Sequence, residues 1–235
     1  AAAVAPAVAA TCGKCWPKCY WMHCWSEKRS LESWRAYNYP HVAAVYWALY
    51  RLSRHYSPAP TRRAKWEWYL TQAAETVKGM WNHAGKGGGT SQWGLMVGSV
   101  FALILEDLER EGDEYASLAM DVRELMRKRI RKWLKLPFPY GSEFPWDSTG
   151  HEEIHTWLMR EGVHAAANRT VQAVLAYMTL VPDWARAGSA RRYWDFVING
   201  KTQRGNEREF HHYGRTLNAI PLLDSFRAYP ARRYL

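Results

Sequence analysis

At 235 residues, with 48% hydrophobic and 23% charged side chains, the chain is long enough to bury a real core as one large domain or two small ones. Its longest apolar stretches break well short of the roughly 18 residues that a spanning helix needs, which excludes a membrane segment. The net charge of +10 brings nucleic acid, anionic surfaces and acidic polysaccharides into consideration, and 14 Trp and 14 Tyr beside 6 Phe favour the flat, part-wet surfaces on which sugar rings stack.

Residues 1–29 read as an Ala- and Cys-rich leader outside the fold. Its start lacks the basic lead-in of a signal peptide, and because the first residue is Ala1 rather than Met, the chain reads as a possible fragment. Cys12, Cys15, Cys19 and Cys24 suit a small metal site or two disulfides, but their spacing matches no zinc module, and no metal or other cofactor is assigned.

Helices follow. Val42 to Leu52 is nearly all apolar and predicts a helix buried on most sides. Arg63 to His83 is amphipathic, with Trp66, Tyr69, Leu70, Ala73, Val77 and Met80 inward. Gly85 to Ser91 has its Lys misplaced for a phosphate loop and follows a helix rather than a strand, so it reads as a plain connection. Leu95 to Leu108 is again almost wholly apolar. Glu114 to Leu134 is amphipathic, with Val122, Leu125, Met126, Ile130 and Trp133 inward and Arg123, Arg127, Lys128, Arg131 and Lys132 outward. No nucleic-acid module accompanies that basic face, so nucleic acid is not expected as a partner.

The segment from Pro137 to Glu153 is the densest in chemistry. Three prolines and two glycines fix its path, and four carboxylates (Glu143, Asp147, Glu152, Glu153) fall within eleven residues as it enters a helix. General acid–base hydrolysis needs such clustering, because like charges and burial raise one pKa and leave its partner ionised. Glu152 is expected to form a capping box with Thr149. Glu143 and Asp147 have no such duty and are the candidate acid and base, the alternative being solvated loop carboxylates. Glu153 joins the candidate catalytic set. His151-Glu152-Glu153-Ile154-His155 also matches H-E-x-x-H, which leaves a zinc hydrolase as an alternative, but no third ligand follows at zincin spacing.

Beyond a short connection at Gly162, Asn168-Arg169-Thr170 is a glycosylation sequon, usable if the chain is secreted. Ala190 to Phe196 and Glu207 to Gly214 mix ions with rings. There Arg191, Tyr193 and Trp194 suit ligand binding, His212 is a candidate proton donor or acceptor, and Tyr213 serves in either role. Packed core histidines or a capped helix start are the alternatives.

Short connections (Ser57 to Arg62, Glu111 to Asp113, Gly162) alternate with long ones (Ala84 to Gln92, Lys135 to Ser148, Val181 to Ser189). In antiparallel helices every second loop shares an end, so the long loops are expected to share one face and to hold the site. With no strand pairs evident, the expected fold is all-α: seven or eight helices in hairpins, residues 30–235 forming one domain that is part of an (α/α)6-type toroid. Six hairpins need twelve helices, so the ring is expected to be incomplete.

At Trp34 to His41 (W-R-A-Y-N-Y-P-H), Gly141 to Glu153, Ala190 to Phe196 and His211 to Ala219, the chain resembles a family of large secreted bacterial and fungal proteins of unknown function, grouped with six-hairpin glycosidase-like proteins. The resemblance runs from about Ser30 to the C-terminus and leaves the Cys-rich leader out. It implies an (α/α) toroid, an extracellular setting and action on carbohydrate. The family pattern has Gln and Tyr where this chain has His151 and His155, which argues against zinc, and it continues beyond Leu235. The resulting expectation is a glycoside hydrolase-type domain acting on a polysaccharide or oligosaccharide. Tyr37, Asn38, His41, Trp93, Trp146, Arg191, Tyr193, Trp194 and Tyr213 would line the sugar subsites. A lyase on an acidic glycan, with Tyr213 or His212 as base and Arg191 or Arg192 holding the uronate, and a non-catalytic glycan-binding domain are the alternatives.

Overall fold

The computed structural model describes residues 32–58, 64–84, 90–140, 150–179, 193–195, 208–210 and 212–231. The chain divides into two units, Ala1–Arg35 and Ala36–Leu235. In the first, Trp34 Nε1 donates to Glu32 Oε2 at 2.9 Å. The second carries seven α-helices among the described residues: α1 Asn38–His55, α2 Trp66–His83, α3 Val100–Glu111, α4 Ala116–Trp133, α5 His151–Arg160, α6 His164–Thr179 and α7 His212–Ala228. The fold is all-α. One departure from the sequence expectation is a three-residue antiparallel pair, β1 Tyr193–Asp195 with β2 Arg208–Phe210, in which Trp194 faces Glu209.

The apolar stripes become the core. On α2, Tyr69, Leu70, Ala73, Val77 and Met80 are buried, and on α4 so are Val122, Leu125, Met126, Ile130 and Trp133. The expectation of a mostly buried α1 fails: it buries Pro40, Ala43 and Tyr50, while Val42, Val45 and Leu52 are exposed. Apolar composition marks what a helix can bury, and α1 spends only one side on its neighbours α2 and α3. A second, smaller cluster of Val171, Val174 and Leu222 joins α6 to α7.

Neighbouring helices alternate in direction. At one end, Tyr50 Oη near the end of α1 donates to Glu111 at the end of α3 (2.6 Å), and Arg54 lies over Trp66 at the start of α2, whose ring meets Tyr115 just before α4. At the other end, Trp133 Nε1 at the end of α4 donates to Gln92 O (2.8 Å), and Gly94 N donates to Pro139 O (3.0 Å). Helices α1, α3 and α5 therefore run one way and α2 and α4 the other. The odd helices touch one another, as do α2 and α4, which makes two layers. Among the described residues, the flanks of two of the expected long connections, 90–99 and 134–140, meet at one end; the third, Val181 to Ser189, lies outside the described residues. The short turn after α5 is a helix terminator. Gly162 has φ +74°, Val163 N donates to Leu158 O and Gly162 N to Met159 O, the paired bonds that a left-handed glycine makes available.

Most of the basic face of α4 is neutralised within the fold. Arg123 pairs with Glu109, Arg127 with Glu161 (2.7 Å) and Lys128 with Glu124 (2.8 Å), and Lys132 lies over the Trp81 ring.

Candidate functional site

The sequence predicts a helix from Leu95, yet α3 starts at Val100. Residues 95–99 are instead held as a loop from across the core. Glu153 Oε2 accepts from Leu95 N (2.6 Å) and Glu152 Oε1 from Val97 N (2.5 Å), which ties the loop to α5. Val97 sits at φ +67°, a conformation that a β-branched residue adopts only when its surroundings impose it.

Glycines make the close approach possible. Gly94 lies against Gly150, and a Cβ on Gly150 would fall 2.5 Å from Gly94 Cα. A Cβ on Gly98 would fall 2.6 Å from Glu153 Oε1. Beneath the loop, Arg129 is fully buried and spends its whole guanidinium: both terminal nitrogens pair with Glu153, Nε donates to Ser91 O (2.9 Å) and Nη2 also to Trp93 O (2.7 Å). Burial pushes the Glu153 carboxyl up from its ordinary value, and the Arg129 guanidinium and Leu95 N–H oppose that. Both glutamates also sit in the first turn of α5, where the helix dipole favours negative charge.

These contacts bear on two expectations. Glu153, one of the candidate catalytic residues, is 0% exposed with both oxygens engaged, and it braces the loop. The capping box expected of Glu152 needs Thr149, which lies outside the described residues; the residue at the start of α5 is Gly150 at φ +73° without a side-chain cap, and Glu152 Oε1 reaches across to Val97 N. The same bond occupies the carboxylate that an H-E-x-x-H site would use as base.

The two histidines of that motif are packed. His151 is buried and stacks on Tyr140, ring centroids 4.0 Å apart at 11°. His155 is 2% exposed, with Nε2 3.7 Å from Asp224 Oδ2 on α7. Among the described residues no group of three or more metal-ligating side chains forms. Burial lowers the pKa of His155 below its ordinary 6.5, against the pull of Asp224. A histidine held neutral in the fold binds a proton on unfolding once pH drops through 6.5, so the unfolded state gains protons and stability falls in that window. Urea unfolding at stepped pH is expected to show stability declining below 6.5, with a shallower decline in His155→Gln. An unchanged slope in that variant would contradict the assignment.

Of the sequence-predicted site residues, Tyr37 is buried just before α1, while Asn38 and His41 are exposed on its first turn, at the end where the long connections meet. Trp93 is half-buried, its carbonyl fixed by Arg129. Tyr193 and Trp194 fall in β1, and His212 and Tyr213 open α7. Glu143, Trp146, Asp147, Arg191, Arg192 and the four cysteines lie outside the described residues. What is described is how the acidic segment is bounded. It leaves Pro139 and Tyr140, tied to Gly94 and His151, and arrives at Gly150, seated on Gly94.

Sequence reasoning missed Arg129, which the structure makes the hub. The signal was present: it lies at i+3 from Met126 and i−4 from Trp133, a cation inside the inward stripe, and such a charge needs a buried partner.

No curated protein and no solved structure matches the chain. A family match extends over residues 15–235, beginning ahead of Ser30 and taking in Cys15, Cys19 and Cys24 together with all seven helices. On that coverage the chain belongs to the family of unknown function DUF5695.

Proposed function

We propose that the protein is an extracellular carbohydrate-active domain whose helix hairpins belong to the (α/α) toroid type, and that it cleaves a polysaccharide or oligosaccharide by glycoside hydrolase-type chemistry. In this reading Glu143 and Asp147 are acid and base. Trp93 and Trp146 supply flat faces for sugar rings, and Asn38 and His41 lie on the same end of the helices.

One observation carries the proposal. The acidic segment starts and finishes on one braced platform: Pro139–Tyr140 is tied to Gly94 and His151, Gly150 lies against Gly94, and the 94–97 loop itself is held by Glu152 and Glu153 of α5. A pair of carboxylates acts as acid and base only if its spacing is held, and anchored ends at Tyr140 and Gly150 support that reading. The two-layer, alternating arrangement of α1 to α5 supports the toroid reading, and the half-buried Trp93 on the same platform supports a sugar as ligand.

Glu143→Gln and Asp147→Asn, made separately, are each expected to lower release of reducing ends from the susceptible glycan at least about 100-fold with thermal stability retained. Undiminished cleavage by both variants would remove these residues from the chemistry. A glycan that raises the unfolding midpoint without being cut would instead identify a binding domain.

A further inference from the structure

Beside that platform, sharing Pro139 and Tyr140 with it, the segment that leaves α4 folds back over α5 and α6 and borders a cavity of about 340 Å³. Its walls are unlike those of a sugar site. Leu134, Pro137, Phe138 and Ala173 give an apolar body, and Tyr140, Arg169, Thr170 and Gln172 are its polar lining. Phe138 is 50% exposed and meets Tyr140 in a T-shaped contact at 4.9 Å.

The polar lining is under-used. Arg169 is exposed on α6 and pairs with no carboxylate among the described residues. Tyr140 Oη reaches Thr170 Oγ1 at only 3.4 Å, and Thr170 Oγ1 donates to Ala166 O at 3.3 Å, both long for hydroxyl hydrogen bonds. Burial raises the Tyr140 phenol from its ordinary value, so it remains a donor. One guanidinium without a carboxylate partner among the described residues, together with two loosely held hydroxyls, matches one carboxylate, whereas a dianion would call for more positive charge.

We propose that this cavity, independently of glycan cleavage, is a binding site for a small aromatic monocarboxylate, its ring against Phe138 and Pro137 and its carboxylate on Arg169 and Tyr140. The volume, near the small end of ligand pockets, suits one ring on a short chain. A pyranose would leave several hydroxyls unpaired against Leu134, Pro137 and Ala173.

Calorimetric titration of the full chain with 3-phenylpropanoate, 3-phenylpropanamide and glucuronate tests the proposal. Saturable binding of 3-phenylpropanoate is expected, weakened at least about tenfold in Arg169→Gln at unchanged thermal stability, and by a similar factor in the wild-type protein when the amide replaces the acid. Ala173→Phe, which fills the cavity, is expected to remove binding. No saturable binding of the acid, equal affinity in Arg169→Gln, or preference for glucuronate would overturn it.

Discussion

Gly150→Ala is expected to lower the unfolding midpoint by at least about 8 °C or to prevent folding, whereas Gly162→Ala costs about 2–4 °C. The two glycines have nearly the same backbone, φ +73° and +74°, so the left-handed strain of about 1 kcal/mol is common to both. They differ in surroundings. Nothing lies within 4 Å of a Cβ on Gly162, but a Cβ on Gly150 meets the Gly94 backbone, 2.5 Å from its Cα. Backbone cannot swing aside as a side chain does, so the 93–98 loop would have to lift away from α5. Equal midpoints for the two variants, measured by scanning calorimetry, would show that the Gly94–Gly150 contact contributes nothing.

The second large effect is expected at Arg129. Arg129→Ala leaves the Glu153 carboxylate buried without its cation and frees the carbonyls of Ser91 and Trp93. Breaking a buried pair from one side costs about 3–5 kcal/mol, or on the order of 10 °C here. Arg129→Lys is expected to fare almost as badly, because a single ammonium cannot span both carboxylate oxygens and two carbonyls at once. Adding Glu153→Gln to Arg129→Met should restore part of the loss, since the double variant buries no lone charge. Hydrogen exchange gives a local reading: the Leu95 amide, bonded to Glu153, should lose protection in the Arg129 variants before the centre of α2 does. Strict additivity and unaltered Leu95 protection would contradict the bracing role.

What the sequence made legible was periodicity. The inward stripes of α2 and α4 follow directly from apolar spacing, because burial on one side of a helix leaves that mark in the chain. What escaped were contacts that join distant positions. Leu95 and Val97 look helical by composition and are drawn into a loop by carboxylates 58 and 55 residues away. Glu152 has the local pattern of a capping residue, and Glu153 that of one more acid in a cluster. The facing glycines, Gly94 and Gly98, which local patterns do not mark, admit the carboxylates and the Gly150 backbone to within touching distance. His151 and His155 have zincin spacing, yet Tyr140 and α7 claim them. In each case a local rule met a tertiary partner that overrode it.

The most direct measurement is product analysis. The protein is incubated with neutral and acidic polysaccharides, and both reducing ends and ultraviolet absorbance from unsaturated ends are followed, beside Glu143→Gln and Asp147→Asn. Hydrolysis by a carboxylate pair gives reducing ends without the absorbance, and loses them in both variants. Absorbance rising together with new ends would indicate elimination instead, and reducing ends released equally by the variants would contradict the assignment of Glu143 and Asp147.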